Sequence, residues 1–592
     1  ETVTIRPDST NSTEQDIIGF GAPIDVSGVE LITYTGSPDG VGSPDDTLTV
    51  DPGAGDDTVR VTSGAPSLLT DMMTSNSLPV IEFTGLNAFV VDANSSGGAD
   101  VVTFVTRALH GALPGNYGII GGSFDTLVIE GADGAADNYQ VTNPPGPGSV
   151  AVVDLSSQNP NVTVSDTAGL LGRLQINSLG GDDLVNVHDT NGLISPSITY
   201  DGGSGSDTLL VTGTVPVAQT EYMPGPALTE GRLAYSLAWG PPSHDMIIDF
   251  VNLEPIIDLL PTTVAVTVYG TNASNAINFA EGPNAGGLAV ATGLVSIDGF
   301  ETYEFANKAE VLEIIGLSGS DVINLNYQGV VPPDGLLRVW VEGNDPTASD
   351  HVVINGTPGA DVINISPTGP DSAHVTVNGF LTQVFTAERI TINGLGGNDD
   401  LTLTTPAGGQ VVVLNDGPLA DAGSVAMRDF GGHAYIPFDF LGLGFSGLFR
   451  VTDVTPLPDR VDELVVNASD PANVAAIFNV SSTGIISLQS PSSPTPAREL
   501  VSVFTPSASV LRLHGFDGDD VFNIAGNHPF GGGIHIEGGD PGASDVLNFV
   551  GTGLNPVRIG LTNVRVREVG FGFVDASGIE TVNVNAGGND VE

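Results

Sequence analysis

The sequence predicts an all-β fold, with a β-solenoid of β-helix-like repeats as the first architecture and tandem β-sandwich domains as the alternative. Three observations predict it: short runs of alternating apolar and polar residues, a composition rich in glycine and proline, and a glycine-acid turn that recurs along the chain. The 592 residues include 78 glycines and 40 prolines, which suits many short strands joined by turns.

The strand signal is a period of two in β-branched runs, for example residues 265–269, 374–377 and 581–584. The sequence shows neither a sustained helical stripe nor a β-α-β alternation. Irregular spacing of the strands, with acidic turns at recurring corners, favours a solenoid with long insertions. Tandem sandwiches stay open as the alternative. Residues 215–250 and 405–455 lack the motif and are either insertions or strands that cover a face.

The recurrent motif is a glycine turn, one or two acidic residues and a short alternating strand, and residues 394–403 show it most fully. Variants begin at Gly53, Leu179, Gly203, Leu317, Phe516 and Ala586. Such recurrence is typical of a repetitive structural protein rather than of an enzyme.

Longer matches indicate duplication. Residues 342–350 and 537–545 share the nine-residue order Glu-Gly-x-Asp-Pro-x-Ala-Ser-Asp. Together with looser matches upstream, they predict three copies, and proline-rich joints mark the two boundaries between them. The predicted copies are a divergent first copy with insertions at 1–260, a second at 261–457, and a third at 458–592 that ends in mid-repeat.

The chain is strongly acidic, and this limits the classes of partner that it can bind. There are 70 acidic and 16 basic residues, so the net charge is −54 and the isoelectric point is about 4.1. Such a surface repels nucleic acid and attracts cations. The sequence contains no cysteine and no apolar run of the ~18 residues that a membrane span requires. A first residue other than methionine is consistent with an exported protein, so we expect an extracellular or cell-surface location.

Residues 202–210, Gly-Gly-Ser-Gly-Ser-Asp-Thr-Leu-Leu, fit the nonapeptide Gly-Gly-x-Gly-x-Asp-x-apolar-x in full. In this stretch the chain resembles the hemolysin-type (RTX-like) calcium-binding repeats of secreted bacterial surface proteins. The resemblance implies a parallel β-roll and bound calcium, with hard carboxylate oxygens as ligands. The motifs here are isolated rather than in tandem, so distant turns must stack if they are to share a calcium.

The alternative for each turn is an acidic corner closed by an Asx hydrogen bond, with no metal. The candidate calcium ligands are the aspartates of these turns. They are Asp56, Asp57, Asp182, Asp183, Asp207, Asp321, Asp345, Asp350, Asp361, Asp399, Asp400, Asp519, Asp520, Asp540, Asp545 and Asp590.

Catalytic patterns are poor, so we expect no enzyme. The nine histidines are scattered and none has zinc-site spacing. Trp239, Trp340 and Tyr435 are candidates for stacking on sugar, although isolated aromatics more often pack in a core or on a strand face. Glycans are therefore a second predicted partner.

The two ends complement each other. The last motif, at 587–590, is followed only by Val591 and Glu592, whereas residues 1–5 form an alternating strand with no motif before it. We therefore predict head-to-tail self-association, with strand 1–5 of one copy against the edge near 586–592 of the next. The alternative is that the chain is one piece of a longer repeat protein.

These patterns predict a secreted structural protein that assembles into a calcium-stabilised filament or surface layer. A carbohydrate-binding adhesin or matrix module is the second hypothesis. A polysaccharide-active β-helix enzyme ranks last, because so few basic residues are present to bind an acidic sugar.

Overall fold

The computed structural model describes most of the chain, with gaps at several loops. The described residues are 2–7, 14–18, 24–27, 31–35, 47–63, 71–86, 88–93, 98–106, 117–145, 150–155, 161–164, 171–240, 244–283, 291–306, 309–327, 335–344, 349–417, 419, 421–444, 446–453, 462–468, 475–490, 498–499, 502–505, 508–539, 544–560, 564–588 and 590–591.

These residues form strands and turns, with no α-helix among them, so the all-β prediction is confirmed. The first strands are β1 (Thr2–Pro7), β2 (Glu14–Ile18), β3 (Ile24–Ser27), β4 (Leu31–Thr35), β5 (Thr47–Val50), β6 (Thr58–Ser63), β7 (Asp71–Ser75), β8 (Val80–Thr84), β9 (Ala88–Asp92), β10 (Val101–Val105), β11 (Tyr117–Ile120), β12 (Thr126–Glu130), β13 (Asn138–Thr142), β14 (Val150–Asp154), β15 (Asn161–Val164), β16 (Arg173–Asn177), β17 (Leu184–Asp189), β18 (Ser197–Asp201), β19 (Thr208–Gly213), β20 (Val217–Pro224), β21 (Glu230–Ser236), β22 (Met246–Val251), β23 (Ile256–Asp258), β24 (Thr262–Tyr269), β25 (Ala276–Glu281), β26 (Thr292–Ile297) and β27 (Tyr303–Ala306).

The remaining strands continue from β28 to β53. They are β28 (Val311–Ile315), β29 (Val322–Asn326), β30 (Arg338–Glu342), β31 (His351–Asn355), β32 (Val362–Gly369), β33 (Ser372–Val377), β34 (Phe380–Phe385), β35 (Arg389–Asn393), β36 (Asp400–Thr405), β37 (Gln410–Asp416), β38 (Gly423–Asp429), β39 (Phe438–Leu441), β40 (Leu448–Asp453), β41 (Asp462–Asn467), β42 (Ile477–Val480), β43 (Ile485–Ser490), β44 (Arg498–Glu499), β45 (Ser502–Phe504), β46 (Ala508–His514), β47 (Val521–Ala525), β48 (Ile534–Glu537), β49 (Val546–Val550), β50 (Val557–Gly560), β51 (Val564–Glu568), β52 (Phe573–Ser577) and β53 (Thr581–Asn585).

The chain divides into two compact units. The first comprises 1–269 and 282–310, and the second comprises 270–281 and 311–592. The three copies predicted from sequence have other boundaries, and that division stays a prediction.

Within each unit the strands alternate between two sheets. In the first unit, β16 pairs in parallel with β18 while β17 pairs in parallel with β19. In the second unit, β28 pairs with β30 and β29 with β31 in the same way. A strand therefore meets its parallel neighbour two strands later, and each coil of chain contributes one strand to each sheet.

Antiparallel strands are inserted between some of these coils. In the first unit, β20, β21 and β22 form an antiparallel meander, and in the second unit β32, β33 and β34 do so. The motif-poor segment 215–250 contains the first of these meanders, and the segment 405–455 contains β37 to β40. Both segments therefore contribute strands to the sheets. Because these strands pair antiparallel with one another, the sheets are mixed rather than purely parallel.

Side chains alternate along the strands between a buried and an outward face, as a period of two requires. In the first unit Val185 and Val187 are fully buried, and in the second Ile323 and Leu325 are. Parallel register stacks like side chains on one another, for example Phe478 on Phe522 with ring centroids 5.0 Å apart. Burial of such apolar columns stabilises each unit. In the described part of the chain no helix is long and apolar enough to span a membrane.

Candidate functional site

The acidic residue that directly precedes a strand forms hydrogen-bonded ladders between successive coils, and these ladders precede strands of both sheets in each unit. We call them together the inner ladder. In the first unit the Asp57 backbone N–H donates to Oδ1 of Asp100 at 2.8 Å, and the Asp100 N–H donates to Oδ1 of Asp125 at 3.0 Å. Asp183, which precedes a strand of the other sheet, shows the same pattern, since its N–H donates to Oδ1 of Asp207 at 2.9 Å. Each carboxylate thus accepts the amide of the preceding coil.

The second unit repeats this arrangement. The Asp321 N–H donates to Oδ1 of Asp350 at 2.8 Å, and the Asp350 N–H donates to Oε2 of Glu388 at 2.6 Å. The Asp361 N–H likewise donates to Oδ1 of Asp399 at 2.8 Å. The ladder satisfies backbone amides that would otherwise be buried without partners at the corner.

Near the carboxyl end of the second unit, the Asp520 N–H donates to Oδ1 of Asp545 and the Asp545 N–H to Oε2 of Glu580, both at 2.8 Å. Asp545 therefore has the same two ladder partners, an aspartate before it and a glutamate after it, as Asp350 has. The two long matched segments of the sequence therefore end at residues with equivalent ladder partners, although the strands that follow, β31 and β49, belong to different sheets.

An aspartate that directly precedes a ladder aspartate forms a second set of hydrogen bonds, which we call the outer clasp. Here the N–H of the later coil donates to the earlier side chain: Ala99 to Oδ1 of Asp56 at 2.9 Å, and Ser544 to Oδ1 of Asp519 at 2.9 Å. The direction is opposite to that of the inner ladder. The pairs Asp182-Asp183 and Asp519-Asp520 therefore join their coils to both neighbours, because the first carboxylate accepts an N–H of the later coil and the second accepts an N–H of the earlier coil.

The glycines of the motif make room for these carboxylates. A Cβ on Gly394 would lie 2.2 Å from Oδ2 of Asp399, and a Cβ on Gly515 would lie 2.1 Å from Oδ2 of Asp520. Gly397 has a φ of +104°, and its Cβ would lie 2.5 Å from a backbone oxygen of the neighbouring coil. Glycine is thus required at the corner both for its conformation and for close approach of the coils.

Burial raises the pKa of several ladder carboxyls. The pKa of Asp100, Asp207, Asp399 and Asp520 is raised to about 6, chiefly by desolvation, and neighbouring acids add to the effect. The backbone amide that each one accepts lowers the pKa and only partly offsets burial. Oδ2 of Asp100, Asp399 and Asp520 is buried and accepts no hydrogen bond from any described residue.

Most of the aspartates predicted from sequence lie on these two sets of hydrogen bonds. The inner ladder contains Asp57, Asp183, Asp207, Asp321, Asp350, Asp361, Asp399, Asp520 and Asp545. The outer clasp contains Asp56, Asp182 and Asp519.

The other four predicted residues are not assigned to either set. Asp400 begins β36, outside the ladder, with its carboxylate 3.5 Å from the Arg450 guanidinium, and Asp590 is exposed. Asp345 and Asp540 lie outside the described residues.

Sequence reasoning missed five ladder residues: Asp100, Asp125, Asp137, Glu388 and Glu580. The available signal was a single acid directly before an alternating strand and a few residues after a glycine, without the Asp-Asp pair. Glu388 and Glu580 also directly precede a strand, but they lack the glycine-aspartate turn that defines the motif.

The predicted calcium sites require several carboxylates close together. Among the described residues, no group of three or more histidine, aspartate or glutamate side chains is close enough together to hold a metal ion. In the ladder, one oxygen of the carboxylate accepts a backbone N–H. Calcium is usually coordinated by six to eight oxygens. Calcium binding at these corners stays a prediction, and Asp345 and Asp540 lie outside the described residues.

Comparison with known proteins adds no family to this description. No protein-family model and no curated protein sequence matches the chain. The resemblance to hemolysin-type repeats therefore rests on the motif alone.

Proposed function

We propose that this chain is a structural protein, without catalytic activity, whose coils form a β-solenoid that assembles head to tail outside the cell into a filament or layer. The observation that carries the proposal is an open strand edge in the second unit. Among the described strands, β53 is hydrogen-bonded only to its parallel neighbour β49. Its other edge presents backbone N–H and C=O groups ready to pair.

The side chains of β53 support this proposal. Val582 and Val584 face the interior but are half-exposed, whereas their partners Leu547 and Phe549 in β49 are fully buried. A further strand laid against β53 would bury both valines and pair the free backbone groups. The gain would come from hydrophobic burial and from strand addition together.

A complementary edge occurs in the first unit. Strand β4 pairs only with β8 among the described strands, and its Ile32 and Tyr34 are half-exposed, whereas Ile81 and Phe83 in β8 are fully buried. We propose that β4 of one copy meets β53 of the next. The strand at 1–5 is a poorer donor than we expected from sequence, because β1 already pairs with β2 on one side and β5 on the other.

The net charge of −54 bears on this assembly. Self-repulsion of that size opposes non-specific association, so only edges that add strand pairing and apolar burial would hold two copies together. The ladder carboxylates accept backbone amides, so the proposed role does not depend on bound calcium. The extracellular location belongs to the proposal and rests on the resemblance to secreted repeat proteins.

The test is electron microscopy and light scattering of the purified chain in calcium and after EDTA, with two matched variants. Val582→Lys places a charge on the inward side of β53, and Thr581→Lys places the same charge on the exposed side of the same strand. We expect polymers of the wild type and of Thr581→Lys, and monomers of Val582→Lys. Wild-type chains that stay monomeric under both conditions, or polymers unaffected by Val582→Lys, would contradict the proposed edge contact.

A further inference from the structure

The outer face of the second unit carries an aromatic patch, which we define as Trp340, Glu342, His374, Gln383 and Phe385. Trp340 and Glu342 lie on β30 and alternate with the fully buried Val339 and Val341. Register places Trp340 beside Gln383 and Glu342 beside Phe385 of β34, and His374 of β33 beside Gln383. Three neighbouring strands thus present two aromatic rings and an imidazole within one group of hydrogen-bonding side chains.

Contacts within the patch hold these side chains in place. The Trp340 indole N–H donates to Oε1 of Glu342 at 2.8 Å, and the indole stacks on Phe385 with ring centroids 4.5 Å apart. His374 packs edge-on against Phe385, and its Nε2 lies 3.2 Å from Nε2 of Gln383. Because the rings are already oriented, a ligand that stacks on them would lose little side-chain freedom on binding.

The patch differs from the adjoining outer face of the same sheet. On β32 and β36 the outward positions hold small polar residues, among them Asn364, Ser366 and Thr404, which hydrogen-bond to one another. Strands β32 and β36 therefore stack without outward aromatic rings, so stacking of the coils does not require such rings. Cross-strand packing of Trp340 on Phe385 stabilises the sheet in any case, so the test below must separate binding from stability.

We propose that the aromatic patch binds a neutral pyranose residue of a glycan. The C–H face of a pyranose is apolar and stacks on aromatic rings, while its hydroxyls need nearby acceptors and donors such as the Glu342 carboxylate and the Gln383 amide. This binding function goes beyond the proposed assembly and does not depend on it.

Charge selects among sugars. Glu313 of β28 lies directly beside Trp340 on the side opposite Gln383, and Glu342 lies two residues further along β30. The chain as a whole carries a net charge of −54. A uronic or sulfated sugar would meet like charges at the patch, so a neutral sugar is the ligand that fits.

The chain contains two tryptophans, which makes the patch directly observable. Trp239 is 65% exposed and belongs to the first unit. The variant Trp239→Phe therefore leaves Trp340 as the sole indole reporter. We expect cellohexaose or chitohexaose to change the Trp340 emission in a saturable way, and oligogalacturonate to leave it unchanged at the same concentration.

Two further variants, each in the otherwise wild-type chain, separate binding from folding. Trp340→Leu keeps an apolar side chain on β30 but removes the ring, and Phe430→Leu, at an exposed ring of the same unit, is the matched control. By calorimetry we expect Trp340→Leu to weaken neutral-oligosaccharide binding about tenfold, the equivalent of one aromatic stacking contact, and Phe430→Leu to leave it unchanged. A thermal melt checks that both variants fold.

Absence of binding by any neutral oligosaccharide would overturn the proposal. Equal affinity of a folded Trp340→Leu variant and the wild type would do the same, as would preferential binding of the galacturonate. Since monomers suffice for these measurements, their result is independent of whether the chain polymerises.

Discussion

The backbone N–H of Asp361 donates to the Oδ1 atom of Asp399 in the next coil, at 2.8 Å, and both residues are almost fully buried. The bond links two coils of the second unit through one side chain rather than through the strand ladder alone. This bond is one step of the inner ladder. Substitution of Asp399 can therefore measure how much one ladder aspartate contributes to the free energy of unfolding.

Replacement of Asp399 by alanine removes the acceptor and leaves the Asp361 amide buried without one. We expect a loss of about 1–3 kcal/mol in the free energy of unfolding, the usual cost of an unsatisfied buried polar group. Chemical denaturation monitored by circular dichroism would measure it.

The adjacent Asp400→Ala is the matched control for this substitution. Its side chain is 47% exposed and its contact with Arg450 is 3.5 Å long, so we expect a change of less than about 0.5 kcal/mol. Equal effects of the two substitutions would show that the ladder bond contributes nothing of its own.

Glycine at the corner provides a second test. Alanine at Gly394 places a methyl group 2.2 Å from Oδ2 of Asp399 and 2.5 Å from the Gly442 carbonyl oxygen, so carboxylate or backbone must shift. We expect a loss of about 1–3 kcal/mol, as for overpacking in a core. The thermal midpoint would fall accordingly.

Gly396, in the same loop, has an ordinary φ, and its added Cβ would be 3.5 Å from the nearest atom. Alanine there should be neutral or stabilising by up to about 1 kcal/mol, since it restricts the unfolded chain. If Gly394→Ala and Gly396→Ala changed the free energy of unfolding equally, close packing of Asp399 on Gly394 would not be the reason that the motif has glycine at this position.

The sequence was sufficient for the fold class and for the position of most corners, because period-two runs and glycine turns are local signals. It was less informative about what the acids do. Asp57 and Asp56 are adjacent in sequence and were assigned one role, but the Asp57 backbone N–H donates to Asp100, whereas the Asp56 carboxylate accepts from the Ala99 N–H. The partners of each are 43 residues away, and only the stacking of the coils brings them together.

The buried Asp258 of the first unit carried no motif and was missed. Its Oδ1 accepts the Leu260 amide and its Oδ2 accepts the Tyr303 hydroxyl, each at 3.0 Å. Burial raises the pKa of Asp258 to about 7. An isolated aspartate in an apolar strand gives a sequence reader no indication that its partner is a tyrosine on a neighbouring coil.

These shifts make stability depend on pH with a definite sign. The folded-state pKa of Asp100, Asp399 and Asp520, about 6, and that of Asp258, about 7, exceed the unfolded value of 3.8. The folded chain therefore binds more protons between these values. The stability contributed by these groups is complete below about pH 4 and is lost as the pH rises through 6 to 7.

Urea unfolding at pH 5 and pH 8 would check this dependence, and we expect the higher midpoint at pH 5. Asp258→Asn should reduce the difference, because it removes one of the titrating groups. Asp517→Asn, which removes an equal charge from an exposed turn, should leave it unchanged. A midpoint that rises from pH 5 to pH 8 would show that the ladder carboxyls are stabilised as anions.

Calcium is the last prediction, and the ladder determines the expected result. Because each ladder carboxylate already accepts a backbone amide, we expect the chain to fold in EDTA with an unchanged circular dichroism spectrum and thermal midpoint. Millimolar magnesium should raise the midpoint as much as calcium does, since both cations screen the charge of −54. A rise specific to calcium would instead demonstrate binding to the folded state. Because no described corner gathers three carboxylates, the substitutions to make next would then be Asp345→Asn and Asp540→Asn.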